Sequence, residues 1–484
     1  MMIDLAVWLI LLPLIWASLA FMAGPGRGAR LAIPALGLQL LLVLLLAGTV
    51  SESGAIGLAV GGWGAPLGID LAADGLSVAM LLLTQVIALP LAIYARSYFQ
   101  VKAPEGRYFW PLCGFLLAGL NGLYLSADLF NLYVTLELVG LAAVALVAAD
   151  GGSRQLVAAL RYLFATLLGS GSYLLAVALI YAAYGTVSMA TLAPVITAEA
   201  PFVVWLAGGL MLVGLMIKTA LFPFHFWLPP AHGGASAPVS ALLSALVVKA
   251  SFYLLLRLWL GPFAGLTASA GLLGWLPATL GALAIFWGSC QAIRAQRIKM
   301  LIAYSTVAQL GYLFLIFPLL TSEAALRAGI MQAFAHGLAK AAMFMAAGVL
   351  IKATGQDRVD SLAGAAQQLP LTMFAFGLAG VTLTGLPPSA GFLAKWLLIE
   401  AAIGQGAWSI AVVVLVGGLL AAGYVFRVLR QGFLLVPAIA ADAPSFHPVP
   451  RTLEWMALLL AAASALLGLR GVELMELVAL GGAA

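Results

Sequence analysis

The chain has 484 residues, of which 64% are hydrophobic and only 8% are charged. Since about a quarter of the residues in a soluble domain are charged, this composition excludes a soluble globular fold and favours a chain dissolved in a lipid bilayer. The formal net charge is +5, but basic residues in membrane proteins chiefly set orientation. No basic segment is interleaved with aromatic residues, so nucleic acid is not an expected partner.

Long apolar runs between charged or Gly/Pro-rich breaks predict an all-α, polytopic membrane protein. A helix needs about 20 residues to span the bilayer. The first run is too long for a signal-peptide core and lacks a basic start, so we expect it to be retained as a span. In chain order, the fourteen predicted spans cover residues 3–23, 30–50, 75–97, 107–126, 127–149, 155–184, 202–228, 236–260, 268–292, 298–320, 324–351, 370–402, 406–430 and 451–470.

Basic residues alternate from one predicted loop to the next. Loops after odd-numbered spans contain Lys and Arg, such as Arg27 and Arg30 after the first and Arg294 and Arg297 after the ninth, whereas loops after even-numbered spans have almost none. The positive-inside rule then predicts an even number of spans with both termini on the outer side. We expect an integral protein of the bacterial cytoplasmic (inner) membrane.

A few ionisable side chains remain deep inside the predicted spans. A charge at the bilayer centre costs about 2.5–3.5 kcal/mol even on insertion-based scales, and such residues usually mark ion or proton pathways. The alternative is that they are structural ion pairs or lysines that reach the membrane surface. Lysines on four different spans favour a pathway. The residues are Glu137, Lys218, Lys249, His336, Lys340 and Lys395.

Lysine suits a proton path because its environment controls its protonation. Burial disfavours the charged amine and a nearby carboxylate favours it, so movement of the carboxylate can release a proton. Glu137 is the only carboxylate deep in the first half of the chain, which makes it the predicted partner of Lys218. His336 and Lys340 share one helix face at i, i+4, and imidazole titrates in a range that suits a relay.

Prolines interrupt the seventh and twelfth predicted spans. Proline removes a backbone donor, and free backbone groups at membrane depth survive only beside protein or a water-filled cavity. Because the two interrupted spans are five apart, they predict two inverted five-helix repeats, about spans 4–8 and 9–13. The alternative is that the kinks serve packing only. The predicted helix breaks lie at Pro223, Pro229, Pro387 and Pro388.

We expect a single membrane domain over 1–484. It divides into three N-terminal spans (about 1–106), a first repeat (107–262), a second repeat (263–433) and a C-terminal span (434–484). Cys113 and Cys290 are isolated in apolar stretches and are expected to be core residues. Two cysteines are too few for an iron–sulfur cluster or a zinc site, so neither a cofactor nor a metal is expected.

Four segments resemble a known family. They are KTALFPFHFWLPPAHGGASAPVSALLSALVVKASFYLLLRL at 218–258, RIKMLIAYSTVAQLGY at 297–312, AHGLAKAAMFMAAG at 335–348 and GLPPSAGFLAKWLLIEAA at 385–402. In them the chain resembles the antiporter-like subunits shared by respiratory complex I, membrane-bound hydrogenases and multisubunit cation/proton antiporters. The resemblance extends from about residue 70 to residue 430 and is nearest to the D-type antiporter subunit.

The resemblance implies fourteen spans with two inverted five-helix repeats and assigns a role to each buried charge. Glu137 and Lys218 would be the coupled pair of the first half-channel, and Lys249 the central link. His336 and Lys340 would continue the line, which Lys395 would end in the second half-channel.

The chain departs from the family pattern in one region. Pro230 follows "WLP" where the family often has a charged residue, and "HGGASAP" lacks the acidic residue common there. These differences leave the role of His232 open. His225, His232 and Glu400 are accessory candidates, and Glu400 is either an exposed helix-end acid or a group that tunes Lys395.

The leading functional hypothesis is a proton-translocating subunit of a multisubunit cation/proton antiporter. Its partners would be other membrane subunits, the lipid bilayer and protons, with the participation of sodium left open. The alternative is the pump module of a complex I-type quinone oxidoreductase or a hydrogenase. A structural scaffold and a stand-alone solute transporter are further alternatives. The sequence lacks flavin and cluster ligands, so any redox catalysis would occur in another chain of the complex.

Overall fold

The computed structural model describes residues 2–24, 26–65, 68–99, 106–149, 151–269, 271–435 and 446–480. Within these ranges, twelve helical segments are long and apolar enough to cross a membrane, and Phe109–Leu125 and Pro370–Thr384 are shorter apolar helices. Helices satisfy every backbone polar group internally, which the bilayer requires. The predicted all-α, polytopic fold is confirmed, while the fourteen-span count and the repeats stay predictions.

The helices are α1 (Met2–Ala23), α2 (Gly28–Ser53), α3 (Gly75–Tyr98), α4 (Phe109–Leu125), α5 (Leu129–Ala148), α6 (Ser153–Tyr184), α7 (Met189–Leu192), α8 (Phe202–Thr219), α9 (Leu228–Gly234), α10 (Ala237–Leu242), α11 (Val248–Leu260), α12 (Ala264–Ser269), α13 (Gly271–Arg294), α14 (Ile298–Phe314), α15 (Glu323–Thr354), α16 (Ala365–Gln368), α17 (Pro370–Thr384), α18 (Ala390–Gly404), α19 (Trp408–Gly432), α20 (Arg451–Leu466) and α21 (Gly471–Ala479). Strands β1 (Ile56–Ala59) and β2 (Asp70–Ala73) form an antiparallel hairpin in which Ile56 faces Ala73.

The interior of the bundle is built from α10, α11, α14 and α15. The segments Ala237–Leu260 and Glu323–Thr354 are almost entirely buried, whereas Gly28–Ser53 and Ser153–Tyr184 turn much of their apolar surface outward. Outward apolar faces are expected where lipid or other subunits surround a membrane protein. The lysines of α11 and α15 therefore lie at the centre of the protein.

The first helix break follows Lys218 directly. Helix α8 ends at Thr219, and Ala220 adopts a left-handed conformation with φ of 58°. Pro223 lies in the connection, which is held by a hydrogen bond from Trp227 Nε1 to the carbonyl oxygen of Ile217 at 3.0 Å. Pro229 instead lies in the first turn of α9, where a missing N–H costs little. The predicted break is present, and Pro223 is the proline inside it.

The second break precedes Lys395. Helix α17 ends at Thr384, Gly385 has φ of 84°, and α18 begins after the N-cap residue Ser389. A Cβ at Gly385 would lie 2.6 Å from Cδ of Lys395, so both the backbone conformation and the space require glycine. Pro387 and Pro388 lie between the two helices, as predicted.

A π-helical turn over Leu243–Val247 joins α10 to α11. Such wide turns are frequent at functional sites because they release backbone carbonyls from the α-helical pattern. Here the carbonyl oxygen of Ser244 accepts a hydrogen bond from Lys249 Nζ at 2.5 Å. The sequence contains no proline at this point, and the turn was not predicted.

The two cysteines differ in their environment. Cys113 is buried in α4, but Cys290 is exposed on the outer face of α13. The expectation that both are core residues is therefore wrong for Cys290, because an apolar run in a membrane protein supplies lipid-facing as well as core positions.

Candidate functional site

Glu137 and Lys218 form an ion pair between α5 and α8. Lys218 Nζ lies 3.4 Å from Oε2 of Glu137, and it donates a 2.8 Å hydrogen bond to Oγ1 of Thr166 on α6. The lysine side chain is 5% exposed and the glutamate 16%. A charge pair with so little solvent persists only when further hydrogen bonds support it, and the Thr166 hydroxyl supplies one.

Close packing of α6 against α8 holds this pair in place. A Cβ at Gly169 would lie 2.8 Å from the carbonyl oxygen of Gly214 and 3.0 Å from Cγ of Lys218. Glycine therefore lets α6 approach the lysine stem closely. Just beyond the pair, Thr219 Oγ1 donates to Oγ of Ser251 at 2.8 Å, which links α8 to α11 two residues past Lys249.

Lys249, Lys340, His232 and His336 form a central cluster. All four are fully buried, and the two imidazoles lie within electrostatic range of both lysines. Lys340 Nζ donates to the Ile302 carbonyl oxygen at 3.1 Å and also to the Ser305 hydroxyl. Within the described ranges, the two lysines donate only to neutral oxygens and form no ion pair, so neighbouring protons in this cluster disfavour one another.

Neither histidine of the cluster has a hydrogen-bond partner in the part of the chain that the structure describes. Nδ1 and Nε2 of His232 and of His336 are buried and make no hydrogen bond to the described residues. Buried polar groups are normally paired, so unpaired imidazoles beside two lysines are suited to accept mobile protons or water. His232, left open by the sequence, thus joins His336 at the centre.

Lys395 lies at the second helix break. Its Nζ donates to the carbonyl oxygens of Leu383 and Thr384 at 2.8 and 2.9 Å, the last residues of α17. The same ammonium lies 4.7 Å from the ring centroid of Tyr312, where the ring face attracts a cation. Its partners are therefore carbonyl and ring groups rather than a carboxylate.

Two glutamines that sequence reasoning missed lie between the centre and Lys395. Gln332 Nε2 donates to Oε1 of Gln309 at 3.1 Å, and Gln309 Nε2 donates to the Leu383 carbonyl oxygen at 3.2 Å and to the Tyr424 hydroxyl at 3.2 Å. Gln332 lies one helical turn before His336 on α15, and Gln309 one turn after Ser305 on α14. Because glutamine carries no charge, a search for charged residues in the spans could not find Gln309 and Gln332. A search for amide side chains in the spans could have found them.

Helix α14 touches both sides of the central cluster. Thr306 Oγ1 and Ser244 Oγ are 3.0 Å apart, and the Ser244 carbonyl accepts from Lys249. The adjacent Ser305 bonds Lys340. Ser305 thus contacts Lys340 directly, and the next residue, Thr306, reaches Lys249 through Ser244.

Two accessory candidates, Glu400 and His225, form no ion pair with the described residues. Glu400 is exposed on α18, and both alternatives for it, a helix-end acid or a group that tunes Lys395, stay predictions. His225 is partly buried and stacks on Phe222 with ring centroids 5.4 Å apart.

Comparison with known proteins identifies the family. Residues 126–421, more than half of the chain, match the family model described as NADH:quinone oxidoreductase/Mrp antiporter, TM. The chain belongs to this family. The matched residues include all six predicted proton-path residues: Glu137, Lys218, Lys249, His336, Lys340 and Lys395.

Relatives in the family include subunits of quinone oxidoreductases and of cation/proton antiporters. The N subunit of the NADH-quinone oxidoreductase of Desulforudis audaxviator is 38% identical over 84% of this chain and 83% of that protein. The D-type subunit of the Na(+)/H(+) antiporter of Bacillus subtilis is 30% identical over 80% of this chain and 78% of that protein. A protein of the Mrp complex from Dietzia sp. superimposes with a TM-score of 0.90 at 27% identity, covering 99% of this chain and 96% of that one.

Proposed function

We propose that the chain is a proton-translocating subunit of a larger membrane complex. The observation that carries the proposal is the ion pair of buried Lys218 with partly buried Glu137. Lys218 is the first member of a series of lysines buried in the interior of an apolar protein. Movement of Glu137 away from Lys218 would favour proton release by the lysine, because the buried ammonium would lose its counter-charge. No cofactor of this chain is needed for such a step.

The proposed path consists of three groups of titratable side chains. Protons pass from the Glu137–Lys218 pair to the central cluster of Lys249, Lys340, His232 and His336, and then to Lys395. The hydroxyls of Thr219 and Ser251, which follow Lys218 and Lys249 in the chain, lie beside the proposed transfer from Lys218 to the central cluster. The Gln332–Gln309 pair borders the second. Because amides carry no net proton, water beside them would conduct it.

The complex is proposed to be a cation/proton antiporter of the Mrp type, with other membrane subunits as partners. The likeness to the Mrp complex and to D-type antiporter subunits supports this assignment. The identity with the N subunit of an NADH-quinone oxidoreductase favours a redox-driven pump as the second candidate. Mass spectrometry of the copurifying chains separates the two: iron–sulfur subunits indicate the pump, and small membrane subunits without them indicate the antiporter.

The membrane arrangement is proposed from the loop charges. Both termini lie on the outer side of a bacterial inner membrane, and 107–262 and 263–433 form the two inverted repeats. The alternation of Lys and Arg between loops supports the orientation, and the breaks in α8–α9 and α17–α18 support the repeats.

The experiment measures proton transport by the purified complex in liposomes with a pH-sensitive dye. Lys249→Met should abolish transport because it removes the central proton carrier. The matched control is Lys352→Met, which removes an exposed lysine near Tyr98 and should leave transport unchanged. Wild-type transport by an assembled Lys249→Met complex would refute the proposed path.

A further inference from the structure

A cationic cavity opens beside the N-terminal end of α6. It has a volume of about 530 Å³ and is lined by arginine residues of α6 and of the loop before α14, together with residues of α9. Its charged lining residues are Arg154, Arg161 and Arg297, and no acidic residue within the described ranges lines it. A cavity of this size and charge is suited to an anion.

Two of the three arginines, Arg154 and Arg161, are exposed and lack an ion-pair partner among the described residues. Arg297 pairs with Asp357, but Arg154 and Arg161 form no ion pair with any residue that the structure describes. They are seven residues apart, so they lie on one face of α6 about 10 Å apart along its axis. The planar guanidinium group favours phosphate because it can donate two parallel hydrogen bonds.

A second arginine-bearing cavity provides a contrast. It has a volume of about 580 Å³ and includes Arg427 and Arg430. Arg427, however, donates from Nη1 to the carbonyl oxygens of Ile293 and Ala295, so part of its guanidinium group is engaged within the protein. Arg154 and Arg161 have no such internal use in the described structure.

The surface next to the first cavity fits acyl chains. Leu160, Phe164 and Leu168 follow one another at four-residue spacing on α6, and all three are exposed. Phe164 is 69% exposed, which in a membrane-spanning helix means contact with lipid or with another apolar surface. A charged recess and an apolar stripe on one helix match the two ends of a phospholipid.

We propose that this cavity binds the phosphate headgroup of an anionic phospholipid, with its acyl chains along the Leu160–Phe164–Leu168 stripe. Arg154 and Arg161 hold the phosphate, as basic recesses between transmembrane helices do on the cytoplasmic side. The site does not depend on the proton path, because none of its lining residues belongs to the proposed path.

The test is native mass spectrometry of the purified complex titrated with dioleoylphosphatidylglycerol. The double variant Arg154→Gln/Arg161→Gln should bind this lipid roughly twenty-five-fold more weakly, at roughly fivefold for each arginine. Arg154→Lys/Arg161→Lys keeps the charge and should retain most of the binding. The matched control is Arg27→Gln/Arg30→Gln, which removes two exposed arginines outside the cavity and should bind as the wild type does.

Other occupants give different results. Unchanged phosphatidylglycerol binding by Arg154→Gln/Arg161→Gln would overturn the site, and so would equally tight binding of dioleoylphosphatidylcholine. Displacement of the lipid by an equal concentration of inorganic phosphate would assign the cavity to the free anion instead. In a structure of the complex in nanodiscs, a lipid phosphate between Arg154 and Arg161 supports the proposal, and an acidic side chain of another protein of the complex there contradicts it.

Discussion

Lys395 and Gln309 donate hydrogen bonds to the same carbonyl oxygen, that of Leu383. The Lys395 bond is 2.8 Å long and the Gln309 bond 3.2 Å. This oxygen belongs to the last turn of α17, immediately before the helix break. One backbone atom therefore connects the terminal lysine to the amide pair that extends toward the central cluster.

Gln309→Leu should slow proton transport while the complex still assembles. Leucine fills a similar volume but leaves Gln332 and Tyr424 without their amide partner and Lys395 without its neighbour on the shared carbonyl. Loss of a buried hydrogen-bond partner costs about 1–3 kcal/mol, so we expect a drop in rate of about tenfold, measured by dye quenching in liposomes. Gln405→Leu is the control, because Gln405 donates to the Leu319 carbonyl outside the line. Equal effects of both variants would contradict a specific role for Gln309.

Thr166→Val should impair proton transfer at the Glu137–Lys218 pair. Valine has nearly the same shape as threonine but cannot accept the 2.8 Å hydrogen bond from Lys218 Nζ. Since a hydrogen bond to a charged group is worth about 1.5–3 kcal/mol, transport should fall by at least about tenfold. Thr166→Ser retains the hydroxyl and should restore most of the rate. A serine variant as slow as the valine variant would indicate a packing defect instead.

The ion pair of Asp74 and Arg257 is predicted to stabilise the fold rather than to carry protons. It joins the N-terminus of α3 to α11, with both side chains 10% exposed, and Ser77 and Tyr253 add hydrogen bonds. Removing one partner of a buried pair costs about 3–5 kcal/mol. Arg257→Met and Asp74→Asn should therefore each lower the thermal unfolding midpoint in detergent, and the double variant should lose less than the sum of the two.

The pH dependence of this pair follows from Asp74. Burial by itself would raise the pKa of Asp74, but the charge of Arg257 and the hydrogen bonds from Arg257 and Ser77 bring it below its usual value. A carboxyl group with a lowered pKa contributes its full stabilisation above the unfolded value of about 3.9, and loses it as the pH falls through the folded value. The stability gap between wild type and Asp74→Asn should be constant near neutral pH and narrow only below about pH 4. A gap that closes near neutral pH would contradict this.

The sequence predicted the elements that a charge or a proline marks. Lys218 and Lys395 lie beside helix breaks as expected, because proline at membrane depth and a buried amine are both costly and therefore visible in the chain. Glu137 was paired with Lys218 by elimination, and the two side chains meet. The first helices were also predicted, since their apolar runs match the bilayer thickness.

Other parts of the site could not be predicted, because they depend on which helices pack together. Thr166 is one of many hydroxyls in the spans, and only the contact of α6 with α8 brings it to Lys218. The partners of Lys395 are backbone carbonyls, which every residue has. The hairpin of Ile56–Ala59 and Asp70–Ala73 is formed by two strands of four residues each, too short for a clear alternation of polar and apolar residues.

The most direct measurement of the central claim is proton transport by the purified complex carrying Glu137→Gln together with Lys218→Met. Both substitutions are close in size to the native side chains and remove the two charges together, so no unpaired charge is left buried. The complex should assemble with its full set of subunits, and coupled proton movement should fall to the background of empty liposomes. Proton movement at the wild-type rate in this double variant would contradict the proposed role of the pair.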